Sequence, residues 1–325
     1  MTGSTLNMHY TIADPKTFGI SEYEPVLPIY HSGQPEDSKE HCSDLLHRLD
    51  RIDPDRLSPE NAYTYRLLHR SLENDLALAD FPYYNEPLSP SSGMQSQLPV
   101  LLAEYTFRTK RDVTDYLALL DQIDDYFSSL LLYEQEKAAA GFFMPACSSE
   151  KVRKQCDTIV TTEELAQGTH FLQTTFEDRL SELQKQGLFT PKETASLIET
   201  NDRLLATVVQ PAYAALSEGL HSLETSTNAD STASETTANA ASGKNNSVHN
   251  GLPKGLALLP DGKTYYLHLL FSETGSSRSE KELVQMLLVQ FQKEQSAIRY
   301  LASQSPSLIT LLSEENTAVF PLAEP

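Results

Sequence analysis

Between residues 112 and 140 the side chains Tyr116, Leu120, Ile123, Phe127, Leu130 and Glu134 recur at steps of four and three. Such spacing lines up one stripe of a helix, so this stretch has to lay a long face against a core. It predicts a single helix over 112–140. Glu134 is the one charged position in the stripe, and Gly141 follows where a helix end favours glycine. Asp121, Asp124 and Asp125 fall on the other side. Carboxylates in pairs can do acid–base work, but on a long amphipathic helix a solvated face is the expected role.

The same period recurs along much of the chain. Residues 37–52 read as a helix stopped by Asp53-Pro54-Asp55, and Ser58-Pro59-Glu60 opens the next, on which Tyr63, Leu67, Leu68, Leu72 and Leu76 recur. Helices follow at 150–167, 171–187 and 191–223, the last interrupted by Pro211, which should kink it because proline removes a backbone donor. Residues 279–303 read as an amphipathic helix with a capping-box start, Ser279 to Glu282, and with Val284, Leu287, Leu288, Phe291, Ile298 and Leu301 inward. Strand signals are confined to 256–259 and 265–271, and the second could equally open a helix. The expected fold class is mainly α, multi-helical, with little strand.

Composition divides the chain further. From 225 to 247 it is nearly all Ser, Thr, Ala, Asn and Gly, too polar to offset the entropy of ordering, so a flexible insert is expected. The expected organisation is an irregular segment over 1–35, a helical domain over 36–224, a flexible low-complexity insert over 225–250 and a helical continuation over 251–325. The sequon Asn245-Asn246-Ser247 carries no weight without an export signal. With 45 acidic against 25 basic residues the formal charge is −20, a field that repels phosphate backbones and excludes nucleic acid as an expected partner. The start has neither a basic region nor an apolar run, and no apolar stretch is long enough to span a bilayer. The expectation is a cytoplasmic chain with no membrane segment. Cys42, Cys147 and Cys156, odd in number and without a C-x-x-C pair, read as free thiols.

No constellation of catalytic residues emerges. Two histidines four apart on a helix could clamp zinc with a glutamate beside the first, but no His-Glu-x-x-His occurs and no two of the nine histidines stand four apart. His41 and His47 come nearest, and six steps rotate a helix by about 600°, which sets them on opposite sides. Ser148 and Lys151 form one S-x-x-K without its usual companion motifs, so Ser148 is expected to cap the helix that follows it. Phosphate-binding glycine loops are absent from the sequence.

Several stretches are more specific than their chemistry explains. These are Leu6-Asn7-Met8-His9-Tyr10-Thr11-Ile12-Ala13-Asp14-Pro15, the block running from Leu88-Ser89-Pro90 through Gly93-Met94-Gln95-Ser96-Gln97-Leu98-Pro99 to Glu104-Tyr105, Gly141-Phe142-Phe143-Met144-Pro145, and Gly262-Lys263-Thr264-Tyr265-Tyr266. In this order the chain resembles the bacterial family called domain of unknown function 885, which is similar to helical zinc peptidases of the gluzincin type. The resemblance implies relatives about one domain-pair longer, with a zinc motif in a C-terminal half. No catalytic or zinc-binding residue has a matching position in this chain. It therefore implies a catalytically incomplete, truncated N-terminal fragment with no cofactor of its own, zinc being expected only in a full-length relative, which could also be exported. Its implied partners are the missing C-terminal half or a peptide substrate. The parts present would form one wall of a cleft that Gln95, Gln97, Tyr265 and Tyr266 are polar or aromatic enough to line. Taken singly, the glutamines are expected to bridge or cap helices and the tyrosines to pack. The alternative is a stand-alone helical binding or scaffold module without enzymatic activity.

Overall fold

The stripe predicted over 112–140 is buried from end to end, with Tyr116, Leu120, Ile123, Phe127, Leu130 and Glu134 at most 2% exposed. Asp121, Asp124 and Asp125 are exposed. The single helix expected there is instead two, α5 and α6, separated at Gln122 with φ −96° and ψ −1°. The break has a physical cause in the Gln122 side chain. Its Oε1 accepts from the backbone N–H of Leu27 at 3.0 Å, and its Nε2 donates to Pro25 O at 2.8 Å and Ala118 O at 3.0 Å. An extended segment is thus stapled across the joint, and Tyr30 N–H to Ser129 Oγ at 3.2 Å adds a second staple about two turns further along.

The computed structural model describes residues 4–12, 14–30, 34–238, 256 and 259–304. The helices begin with α1 (Thr5–Thr11), α2 (Gln34–Leu49), α3 (Pro59–Leu78) and α4 (Met94–Ala103). Next come α5 (Lys110–Asp121), α6 (Ile123–Ala139), α7 (Ala146–Ile159), α8 (Thr162–Gln167) and α9 (Phe171–Lys185). They end with α10 (Pro191–Leu204), α11 (Gln210–Ala238), α12 (Gly262–Thr274) and α13 (Glu280–Gln304). Among the described residues there is no strand, so 265–271 takes the helical alternative, as part of α12; the other strand candidate, 256–259, lies partly outside the described residues.

The chain divides into two compact units, Met1–Pro260 and Asp261–Pro325. In the first, α11 packs on α6 and α7, α4 lies against α7 and α9, and α10 lies against α9 and α5. The core they enclose includes Leu88, Leu98, Leu102, Tyr116, Phe176 and Tyr213. Each such aliphatic side chain contributes about 1.5–3 kcal/mol by leaving water. The segment expected to be irregular over 1–35 contains α1, which Ser4 caps and which buries Leu6, Met8 and His9. Seven residues are too few to display a helical period. The α2–α3 pair packs on itself, leaving Tyr63, Leu67 and Leu68 50–58% exposed.

Pro211 does not end its helix. A π-turn over Leu205–Val209 joins α10 to α11, with the N–H of Gln210 reaching Leu205 O. The wider turn accommodates a residue that cannot donate. α11 then runs on through 225–238, so the first part of the tract expected to be flexible is helical. Extending a formed helix costs far less than nucleating one. The remainder of that tract, from 239, lies outside the described residues.

In the second unit, α13 begins with the expected box: Glu282 Oε2 accepts from Ser279 N–H at 2.8 Å and Ser279 Oγ at 2.6 Å. Its apolar stripe is not inward, however. Val284, Leu287, Leu288, Phe291, Ile298 and Leu301 are 49–69% exposed. Amphipathic spacing records that a face needs cover without recording where the cover comes from, and α12, the other described helix of this unit, does not supply it.

Candidate functional site

The block 88–105 builds the turn before α4 and α4 itself, and two of the cleft candidates lie in it. Gln95 is fully buried; its Nε2 donates to Ser89 O at 2.6 Å and to Gln155 Oε1 at 2.8 Å, and Gln155 in turn donates to Pro90 O at 2.8 Å. The Tyr213 hydroxyl donates to the Gln95 carbonyl at 2.8 Å. A glycine is needed at 93, because a Cβ there would stand 2.0 Å from Gln95 Oε1 and 2.3 Å from Ser89 N. Gln97 is exposed and donates to Ser92 O at 2.8 Å. Both amides therefore fix the 89–93 turn, Gln95 from inside and Gln97 from the surface. Tyr265 (half-buried) and Tyr266 (38% exposed) lie on α12, in the other unit.

Metal and nucleophile candidates stay apart. Among the described residues no three His, Cys, Asp or Glu side chains are grouped to hold a metal ion. His41 and His47 are exposed on α2. Ser148 lies inside the first turn of α7 and does not cap it; the cap position is Pro145, which reaches the turn through its carbonyl, accepting from Ser148 N–H at 2.8 Å. Cys42, Cys147 and Cys156 are free thiols, half-buried, exposed and buried in turn.

Two buried clusters were not foreseen as sites. The first ties α1 to α5 and α9. The His9 ring stacks on Tyr105, centroids 3.6 Å apart, and its Nδ1 lies 3.9 Å from Asp112. Burial lowers its pKa to about 4, against the pull of Asp112. The ring is therefore neutral above that pH, and its buried Nε2 has no hydrogen-bond partner. Nearby, the Arg179 guanidinium stands 4.4 Å from the Phe107 ring centre and donates to Leu102 O at 3.0 Å and to Tyr105 O, closing the C-terminal end of α4. Nothing local in the sequence marks His9, although it falls in one of the stretches that carried the resemblance.

The second cluster is Glu134 with Lys137, both wholly buried, at 3.4 Å. Lys137 Nζ also reaches Glu86 at 3.3 Å and Asn85 O at 3.1 Å. Burial raises the Glu134 pKa to about 7, more than Lys137 lowers it. This carboxyl can gain or lose a proton near neutrality. Its sequence signal was its place as the one charge in an apolar stripe.

Comparison with known proteins adds three findings. No curated protein matches the sequence. In the crystal structure of "the putative lipoprotein from Colwellia psychrerythraea" the fold recurs with a TM-score of 0.67 at 15% identity, over 92% of this chain and 48% of that one. This chain thus spans about half the length of that neighbour, and the likeness is one of fold. The sequence family described as bacterial protein of unknown function (DUF885) matches residues 16–318, nearly the whole chain, and the protein belongs to it.

Proposed function

We propose that this chain is the non-catalytic half of a zinc-peptidase-like helical protein, and that its working partner is the complementary helical half, docked on α13. One observation carries the reading: six large apolar side chains in a single helical stripe on α13 stand 49–69% exposed. A contiguous apolar face of this kind is what an interaction surface offers, and an amphipathic helix is a common way to present it. The match to 48% of the neighbour's chain leaves as much chain again in that larger fold as a source of the cover. No step of peptide cleavage is assigned to residues of this chain, whose sequence holds no His-Glu-x-x-His.

Elemental analysis and hydrodynamics of the purified protein test this. The expected result is no stoichiometric zinc, with binding of an apolar dye and self-association that Leu287→Glu and Phe291→Glu remove. Tightly bound stoichiometric zinc overturns the non-catalytic assignment. A monodisperse monomer that binds no dye overturns the docking face. The second reading, a stand-alone helical binding or scaffold module, draws on the core of the first unit, which is assembled from residues between Leu6 and Leu220. A cooperative melt in such a dye-silent monomer would favour it.

A further inference from the structure

Lys137 is wholly buried on α6, and the three hydrogens of its ammonium meet three acceptors: Asn85 O at 3.1 Å, Glu86 Oε1 at 3.3 Å and Glu134 Oε1 at 3.4 Å. One cation thus faces two carboxylates, and these differ in their surroundings. Glu134 is as buried as Lys137, whereas Glu86 is half exposed. Glu134 Oε2 is buried as well and has no hydrogen-bond partner. Two carboxylates do not share one ammonium on equal terms, because their repulsion favours a proton on the one with less access to water. That one is Glu134. Burial raises it to about 7, Lys137 opposing the rise and Glu86 adding to it.

The groups around the triad leave this competition to its three members. Tyr30 and Tyr133 have their hydroxyls raised by burial and stay neutral near pH 7. The π-turn and α11, which pack on α6, bury Leu205, Val209, Tyr213, Leu216 and Leu220; only Tyr213 can titrate, and burial raises it too. On α5, the buried Asp115 is engaged by Tyr23 and Arg111.

The atoms that Lys137 holds outside α6 belong to the irregular segment 82–86. The Tyr133 hydroxyl fixes its start, donating to Pro82 O at 2.7 Å, and Lys137 fixes its end at Asn85 and Glu86. Between them, the Tyr84 hydroxyl donates to Pro260 O at 2.6 Å. Phe81, Pro82 and Asn85 also line a cavity of about 170 Å³ together with Tyr30, Ser38 and Tyr133. What holds Glu86 therefore steadies one wall of that cavity.

We infer that Glu134, Lys137 and Glu86 form a proton-operated latch on residues 82–86. With a proton on Glu134, Glu86 is the one anion left to Lys137, and the segment is pinned. When Glu134 releases that proton to solvent it takes the ammonium, and Glu86 turns out to water, which hydrates its carboxylate at little cost. The inference draws on neither the α13 face nor the family reading.

Hydrogen exchange of the full chain between pH 5.5 and 8.5, corrected for the intrinsic effect of pH, tests it. Protection over 82–88 is expected to fall about fivefold as pH rises, the order of one partly exposed ion pair, while protection over 126–132 in α6 falls less. Glu134→Gln cannot ionise, so its 82–88 segment should stay at the high, low-pH level throughout. Glu86→Gln cannot pair, so its segment should stay at the low, high-pH level throughout. If Glu134→Gln does not fold, Glu86→Gln at its half-exposed position decides alone. A pH response of 82–88 that survives either substitution overturns the latch, as does a wild-type response equally large in 126–132, which would report global unfolding.

Discussion

Glu134 and His9 are both buried and both lack a full set of partners, but they bias stability in opposite directions with pH. The folded state raises Glu134 to about 7, so it holds its proton more tightly folded than unfolded. Below pH about 4.5 the side chain is neutral in both states and costs nothing extra. As pH rises through 4.5 to 7, folding must accommodate a buried carboxylate, and stability falls by roughly 3 kcal/mol at most. His9 runs the other way. Its folded value near 4 means that its contribution is complete above about 6.5 and is lost as pH falls toward 4. Denaturation midpoints measured from pH 4 to 8 are therefore expected to change little in the wild type, because the two slopes oppose each other between about 4.5 and 6.5. Glu134→Gln should leave a curve that rises with pH, and His9→Phe one that falls. Identical pH profiles for the two variants would contradict this assignment. The sequence disclosed the first of these residues and hid the second. A charge inside an apolar stripe has to be buried or break the stripe, whereas His9 meets Tyr105 and Asp112 only through tertiary folding.

At the scale of elements, helical periodicity located α3, α9 and α13 to within a few residues, and the start of α10, because caps such as Ser58, Thr190 and Ser279 act over one turn. What it could not locate were features imposed from a distance. The joint between α5 and α6 keeps the stripe in phase, so the pattern reads straight across it. Its cause lies in residues 25–27, which are remote in sequence. Gln122→Ala tests that account. It leaves the Leu27 N–H and the Pro25 carbonyl without their partner and should lower stability by about 1–3 kcal/mol. Hydrogen exchange should rise first at the Leu27 amide, ahead of global unfolding; unchanged exchange there would mean that the staple does not hold the segment. The π-turn is the partial case. Pro211 announced that the helix would be disturbed, but not that widening by one residue would resolve the disturbance.

At the scale of the whole molecule, the cleft candidates from the sequence divide between units: Gln95 and Gln97 help to shape the first, while Tyr265 and Tyr266 belong to α12. The buried core is drawn from residues 6–220, whereas α13 exposes its stripe. These two facts lead to opposite expectations for the two parts when they are separated. A chain cut after Pro260 keeps every residue of that core. It is expected to melt cooperatively within about 4 °C of the full chain, a difference of about 1 kcal/mol for a chain of this size. The same cut removes the exposed face of α13, so apolar dye binding and concentration-dependent association should fall together. A broad, non-cooperative melt of the shortened chain would mean that the core depends on residues beyond 260. Dye binding that survives the cut would place the adhesive surface elsewhere, with the exposed Tyr63, Leu67 and Leu68 of α3 as the next surface to alter.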